Sequence, residues 1–324
     1  MCGIVGGISN ANITPLLLEG LKRLEYRGYD SSGIVVYSEN KTLDRQRAVG
    51  KVFNLENKLK TNKIKGKVGL AHTRWATHGE PSDTNAHPHI SENSISVVHN
   101  GIIENYINLK ELQIKQGYKF YSETDTEVIA HAIEFFIKSS NSLLEATQKT
   151  LKTLEGSYGL GIISKNHPNT LIAARKRSPL LIGIGDHGNY IASDQMALLS
   201  VTKKFIFLEE GDVAELTLEK VTIYDKEGNI VKRPIKVSSL KDDQVDLGTY
   251  NHFMQKEIFE QPQAIRDTLE SRILKDKVVI SAFGYKANEI FQKTKQVQIV
   301  ACGSSYNAAL VAKYWLEDIA KIAC

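Results

Sequence analysis

Short runs rich in β-branched and aromatic residues recur along the first 224 residues, and this feature constrains the fold most strongly. Turn-forming stretches, such as residues 225–229, separate several of these runs. Strands this short and this closely spaced are typical of antiparallel sheets, not of a parallel doubly wound sheet. We predict strands at residues 34–37, 43–49, 68–75, 94–99, 158–164, 170–174, 180–185, 190–193, 205–208, 213–218 and 221–224.

Helical patterns interrupt these strands at only a few places. Thr14 and Pro15 form an N-cap and first-turn pair before the first pattern. The predicted helices cover residues 15–27, about 102–116, the stretch that begins with a capping box at 124–127, and about 143–155. Many strands with few helices predict an α+β sandwich, in which two stacked sheets carry helices on the outside.

The sequence pattern changes from mostly strand-like to mostly helical near residue 240. A polar stretch predicts a linker at 241–250, between a first domain at 1–240 and a second at 251–324. In the second domain, the pattern is mostly helical until residues 297–302, which we predict to be a buried strand. A loop and a helix ending near Leu316 follow, so we expect one strand–loop–helix unit of an incomplete α/β fold.

Composition narrows the classes of function. The hydrophobic fraction of 42% and the charged fraction of 24% are ordinary for globular chains, and the net charge of +4 is scattered. The sequence has no basic block with interleaved aromatic residues, so it does not indicate nucleic acid as a partner. Three cysteines are too few for a disulfide framework or a zinc cage. With no 18-residue apolar run and no signal peptide, we expect a cytoplasmic chain that needs no membrane, metal or cofactor.

Cys2 directly follows Met1 and becomes the first residue if Met1 is removed. It then carries both a thiol and an α-amine whose pKa is about 7.7–8.0, against about 10.4 for lysine. Such an amine is a usable base near neutrality, so one residue supplies a nucleophile and its base. In an arbitrary chain a cysteine here is more often inert, and the motifs further along favour the catalytic interpretation.

Residues 71–79 form a second informative stretch, at the end of a predicted strand. Arg74 is suited to bidentate binding of a small carboxylate. Thr77 and His78 add hydrogen-bonding groups, and Trp75 could cover the bound molecule. The alternative is a surface arginine beside a packed tryptophan.

Asn100 and Gly101 end another predicted strand. An Asn-Gly pair usually marks only a tight turn. If it faces Cys2, however, the side-chain amide of Asn100 and the N–H of Gly101 are two neutral donors that could stabilise one oxyanion.

Asp125 lies in an acidic stretch at a predicted helix start. Acidic residues there favour the helix dipole without any ligand. The functional interpretation is that Asp125 binds a substrate ammonium. A substrate with a carboxylate, an ammonium and an amide that a thiol can attack is glutamine.

At this point the chain resembles the family of glutamine–fructose-6-phosphate aminotransferases. The similar segments occur in the same order over essentially the whole chain, and they are residues 1–6, 24–31, 72–81, 85–89, 99–105, 122–127, 207–212 and 254–258. The resemblance implies a four-layer αββα fold of the N-terminal-nucleophile type for the first domain. It also implies a role for each site residue: Cys2 as the nucleophile, Asn100 and Gly101 as the oxyanion hole, Arg74, Thr77, His78 and Asp125 as the glutamine site, and Trp75 as the gate of an ammonia channel.

For the second domain, the resemblance implies the start of a sugar-isomerase domain. Residues 301–305 are similar to the first phosphosugar loop, so Ser304 and Ser305 would contact the phosphate of fructose 6-phosphate. A homodimer through this part is compatible with the resemblance. The family's sugar domain continues well beyond Cys324, so we expect a fragment or a separately encoded second half. We expect this chain alone to hydrolyse glutamine and to make no amino sugar.

Two alternatives stay open at this point. The chain could be another amidotransferase with an N-terminal cysteine, of the type that forms asparagine or phosphoribosylamine, although residues 251–324 argue against that. It could also be an inactive or partner-dependent fragment that only binds a sugar phosphate. Retention of Met1 would favour this second alternative, because the α-amine would then be lost.

Overall fold

The computed structural model describes residues 2–76, 78–238, 250–269, 273–274, 277–278, 280–283 and 287–324. The chain divides into two compact units, Met1–Asp246 and Leu247–Cys324. Of the predicted linker at 241–250, all but Tyr250 lies outside the described residues.

The first unit contains more strand than helix. In chain order they are β1 (Gly3–Ser9), β2 (Ser31–Ser38), β3 (Leu43–Val49), β4 (Gly66–Arg74), β5 (His89–Ser91), β6 (Ile95–Ile103), β7 (Gly156–Ser164), β8 (His167–Lys176), β9 (Leu181–Gly185), β10 (Gly188–Ala192), β11 (Lys204–Phe207), β12 (Val213–Leu216), β13 (Val221–Tyr224), β14 (Ile230–Val231) and β15 (Ile235–Val237). Among the described residues, these strands form two sheets, in the orders β15-β11-β9-β10-β1-β4-β2-β3 and β14-β13-β12-β8-β7-β6-β5. Every pairing in both sheets is antiparallel, as predicted.

Helices cover the outer face of each sheet. They are α1 (Thr14–Leu24), α2 (Val52–Thr61), α3 (Tyr106–Lys115), α4 (Glu127–Ile137) and α5 (Leu143–Leu151). Leu17 and Leu21 of α1 pack with Val5 of β1 on one side of the first sheet. Ile129 and Ile133 of α4 pack on the far side of the second sheet.

A third apolar cluster lies between the two sheets. It joins Ile4 and Leu70 of the first sheet to Val98 of the second, and all three side chains are fully buried. The layers are therefore helix, sheet, sheet and helix, and the four-layer prediction is confirmed.

Two local predictions about helix starts are wrong. Thr14 does not cap α1 but lies within it, and its hydroxyl donates to the Ile64 carbonyl at 3.0 Å. At α4, no side chain caps the helix at Thr126. The Glu127 carboxylate accepts from the N–H of Ser122 at 2.8 Å, so it closes the preceding turn and not a capping box.

The second unit has little sheet structure in its described part. It contains α6 (Phe253–Leu269), a two-stranded ribbon of β16 (Ile273–Leu274) and β17 (Lys277–Val278), α7 (Ala287–Lys293) and α8 (Gly303–Asp318). The predicted buried strand at 297–302 is wrong, because these residues form no strand and Val300 is 89% exposed. A buried parallel strand needs paired neighbours and helices on both faces. The described residues provide one parallel bridge nearby, between Gln296 and Ala323.

In the described part of the chain, no helix is long and apolar enough to cross a membrane.

Candidate active site

Cys2 immediately precedes β1 at a central position of the first sheet. Its Sγ accepts a hydrogen bond from the backbone N–H of Trp75 at 3.2 Å. Its carbonyl oxygen accepts from Nδ2 of Asn100, which lies on the second sheet, at 3.0 Å. Burial raises the pKa of the Cys2 thiol, while the hydrogen bond from Trp75 opposes this effect. The thiol is therefore protonated near neutrality and needs a base to act as a nucleophile.

A small cavity of about 20 Å³ lies beside Cys2 and brings most of the predicted residues together. It is lined by Cys2, Arg74, Trp75, His78, His87, His99, Gly101, Thr124, Asp125 and Thr126. Thr77, also predicted, lies outside the described residues. Asn100 borders the site through its bond to the Cys2 carbonyl.

Arg74 is the last residue of β4, and only 3% of its surface is exposed. Its guanidinium donates to the backbone carbonyls of residues 78–80, with distances of 2.9 Å to Gly79 and 3.3 Å to Glu80. A guanidinium has five N–H groups, so these three bonds do not exhaust its donors. Gly28 packs on the backbone here, since a Cβ at Gly28 would lie 2.9 Å from the Arg74 carbonyl carbon. In this structure, Arg74 therefore holds the loop after β4 in place.

Asp125 is buried just before α4. Its Oδ2 accepts a hydrogen bond from the backbone N–H of Ile103 at 2.7 Å. A carboxylate has several acceptor positions, so one backbone bond fixes Asp125 while leaving acceptor capacity on the cavity side. The cavity thus has a cation, Arg74, and an anion, Asp125, in its wall.

Gly101 occupies a position that only glycine fits. Its φ is +140°, and a Cβ there would lie 2.1 Å from the carbonyl oxygen of Ser157. Because the residue has no side chain, the backbone of β6 can border the cavity directly.

Trp75 and His78 lie at the outer part of the site. Trp75 is 49% exposed, and its ring meets Tyr29 edge-on, with centroids 6.3 Å apart. The His78 ring meets Tyr106 edge-on at 5.2 Å. The role of Trp75 as a channel gate stays a prediction.

Ser304 and Ser305 lie in the first turn of α8 in the second unit, where both are exposed. Their predicted contact with a sugar phosphate stays a prediction.

Sequence reasoning missed several residues that hold the site together. Asp30 accepts a hydrogen bond from the Ala76 N–H at 2.8 Å, and this bond ties the 28–30 turn to the loop after β4. Three buried histidines, His72, His87 and His99, form one contacting group, and His72 joins this group to Asn100. All of these residues lie in or beside segments that carry the family resemblance, yet only their contacts show what they do.

Burial keeps this group of histidines neutral. It lowers the pKa of His72 to about 3, and it also lowers the pKa values of His87 and His99. No group of three or more His, Cys, Asp or Glu residues among the described ones could hold a metal ion. Because these histidine rings are neutral, they bring no fixed positive charge to the surroundings of Asn100.

Comparisons with known proteins agree with this geometry. Residues 72–200 match the family model described as a glutamine amidotransferase domain. A glutamine–fructose-6-phosphate aminotransferase (isomerizing) of Vibrio vulnificus is 53% identical to this chain over all 324 residues, and one of Haemophilus influenzae is 52% identical. The chain spans 53% of the length of each of these relatives.

Solved structures show the same fold. The glutamine phosphoribosylpyrophosphate amidotransferase of B. subtilis, in complex with ADP and GMP, has a TM-score of 0.60 and 27% identity. The match covers 71% of this chain and 50% of that one. A structure described as the allosteric regulatory enzyme of purine biosynthesis has a TM-score of 0.61, with the same identity and coverage.

The fold and the site together define a glutamine amidotransferase of the N-terminal-nucleophile class. Within this class, the chain is similar over its whole length to the glutamine–fructose-6-phosphate aminotransferases, of which it spans about half the length.

Proposed function

We propose that the first unit of this chain hydrolyses L-glutamine to L-glutamate and ammonia, with Cys2 as the nucleophile. The observation that carries the proposal is the cavity that joins a thiol, a buried cation and a buried anion. A free amino acid has a carboxylate and an ammonium at one end, and Arg74 and Asp125 complement these two charges. The thiol then meets the carboxamide at the other end of glutamine.

The chemistry follows from the groups in place. Once Met1 is removed, the α-amine of Cys2 takes the thiol proton and Sγ attacks the carboxamide carbon. The amide of Asn100 and the N–H of Gly101 stabilise the oxyanion. The proton returns to the leaving nitrogen, ammonia departs, and water hydrolyses the resulting thioester to glutamate.

Binding requires a rearrangement beside Arg74. A cavity of about 20 Å³ holds roughly one water molecule, and glutamine is much larger. We propose that the substrate carboxylate replaces the carbonyls of residues 78–80 as the partner of Arg74. His78 and Thr77 belong to this loop, so they would reach the substrate as the loop closes again.

The relatives' names point to the acceptor of the ammonia. We propose that the complete protein transfers it to fructose 6-phosphate in the cytoplasm and forms glucosamine 6-phosphate, with Trp75 gating the transfer. Ser304 and Ser305 would then bind the sugar phosphate, in a second unit that pairs with a second copy of the chain. The chain spans 53% of the length of each of these relatives, so amino-sugar formation is assayed separately from glutaminase activity.

The test measures glutamate, ammonia and amino sugar separately, with the mass of the N-terminal peptide recorded first. Chains that lack Met1 should release glutamate, whereas Cys2→Ala and chains that retain Met1 should not. A glutamine-like electrophile should add its mass to the N-terminal peptide and not to the peptide of Cys302, the exposed cysteine of the second unit. Glutamate release by Cys2→Ala would refute the proposal, and sugar-phosphate binding without glutaminase activity would favour the alternative of a binding fragment.

A further inference from the structure

His72 is a buried histidine that contacts neither the cavity nor the proposed substrate. It lies on β4 of the first sheet, opposite Ile4 of β1 and Gly33 of β2. Its Nε2 reaches across the space between the sheets to two oxygen atoms of the second sheet. These atoms are the His99 carbonyl oxygen at 3.1 Å and Oδ1 of Asn100 at 3.0 Å.

The His99 carbonyl determines which ring nitrogen of His72 carries the proton. A carbonyl oxygen only accepts hydrogen bonds, so a nitrogen held 3.1 Å from it must donate. The other ring nitrogen, Nδ1, is buried and has no partner among the described residues, so it favours neither tautomer. His72 therefore carries its proton on Nε2.

This tautomer in turn fixes the amide of Asn100. The Nε2–H of His72 also points at Asn100, and only the amide oxygen can accept it. The amide nitrogen must then lie on the opposite side, where it donates to the Cys2 carbonyl at 3.0 Å. With the amide flipped, two donors would meet at His72 and two acceptors would meet at Cys2.

The surroundings hold the His72 ring in this state. The His87 ring stacks on it, with centroids 4.2 Å apart and planes inclined by 24°. His87 accepts a hydrogen bond at Nδ1 from the N–H of His99 at 3.3 Å, so it is neutral too. Burial lowers the pKa of His72 to about 3, although the hydrogen bonds to Asn100 and His99 act in the opposite direction. A charged ring would have a second donor with no acceptor nearby.

We propose that His72 is a positioning residue that acts through Asn100, because it directs the amide nitrogen toward the nucleophile and makes Asn100 an oxyanion donor. The inference rests on the proposed glutaminase function. His72 touches no reacting atom and yet determines whether the amide nitrogen of Asn100 faces the nucleophile.

Enzyme kinetics test the inference with five variants of the chain. Removing an oxyanion donor lowers kcat by about 10²–10³, so a misdirected donor in His72→Leu should lower kcat by about 10–100-fold with KM nearly unchanged. His72→Gln places an amide N–H near the position of Nε2 and should keep most of the activity. In an Asn100→Ala background, His72→Leu should have no further effect, since its target is gone. His131→Leu is the matched control, because His131 is equally buried but lies on α4 and contacts Ser91.

The opposite results would overturn the inference. These are additive losses from His72→Leu and Asn100→Ala, failure of His72→Gln to retain activity, or an equal loss in the His131 control. A separate measurement does not depend on activity. In ¹⁵N-histidine NMR of the Cys2→Ala chain, His72 should show the neutral Nε2–H tautomer from pH 6 to 8. An Nδ1–H tautomer or a cation would refute the inference even if the glutaminase assay succeeds. Conversely, a chain without glutaminase activity refutes the proposed function, and the NMR result then still decides which ring nitrogen of His72 carries the proton toward Asn100.

Discussion

Asp125 allows the binding and folding roles of one buried carboxylate to be separated. In the native chain, the Ile103 N–H donates to Oδ2 of Asp125 at 2.7 Å. Asp125→Asn keeps the shape of the side chain and an oxygen that can accept this hydrogen bond. Only the negative charge is lost. A hydrogen bond to a charged group contributes about 1.5–3 kcal/mol, so KM for glutamine should rise by about 10–150-fold. The free energy of unfolding should change by less than about 1 kcal/mol.

Asp125→Ala is the paired perturbation. It removes the charge and also leaves the buried N–H of Ile103 without its acceptor, which costs about 1–3 kcal/mol in addition. We expect both variants to raise KM to a similar extent, while only the alanine variant unfolds at lower urea concentration. The assays are steady-state glutamate release and urea unfolding followed by circular dichroism. If Asp125→Asn leaves KM unaltered, Asp125 does not bind the substrate ammonium. Equal stability of the two variants would show that the bond to Ile103 contributes nothing.

Three further outcomes follow from contacts in the first unit. Gly101→Ala should abolish glutamate release and lower the thermal midpoint much more than Gly117→Ala does. Both glycines have a positive φ, but only at Gly101 would a Cβ lie 2.1 Å from a carbonyl oxygen. Equal shifts of the thermal midpoint in the two variants would contradict this. Arg233→Ala should lower the free energy of unfolding in urea by about 3 kcal/mol, because it leaves the fully buried carboxylate of Asp212 without its cationic partner. A change below about 1 kcal/mol would show that this ion pair is dispensable. Burial raises the pKa of the Cys2 thiol, so its rate of alkylation by iodoacetamide should still increase with pH above about 8.5, the ordinary pKa of a cysteine. The rate is measured from the mass of the N-terminal peptide. A plateau below about pH 8.5 would refute the direction of the shift.

The parts of the site that could be predicted are those whose chemistry is local in the sequence. Cys2, Arg74 and Asp125 were singled out by residue type and by their places at the ends of predicted elements, and the fold brings all three to one cavity. Their roles in catalysis stay predictions. The short, closely spaced runs rich in β-branched and aromatic residues were likewise enough to predict the antiparallel sheets, because each run carries its own local signal.

The parts that could not be predicted depend on contacts between distant segments. His72 and Asn100 are 28 positions apart in the sequence and lie on different sheets, so no local pattern indicates that one orients the other. The predicted strand at 297–302 failed for a related reason. An apolar run becomes a parallel strand only when neighbouring strands pair with it, and local sequence does not report whether they are there.

The hydrogen bonds that join Cys2, Asn100 and His72 cross the gap between the two sheets twice. The nucleophile and its oxyanion donor are thus carried by separate layers, and their distance is set by how closely the apolar side chains between the layers pack. A substitution there that changes the spacing by a fraction of an ångström would displace one half of the site from the other. Glutamine turnover should therefore be sensitive to the packing between the sheets, and in such variants activity should decline before the sheets lose their stability.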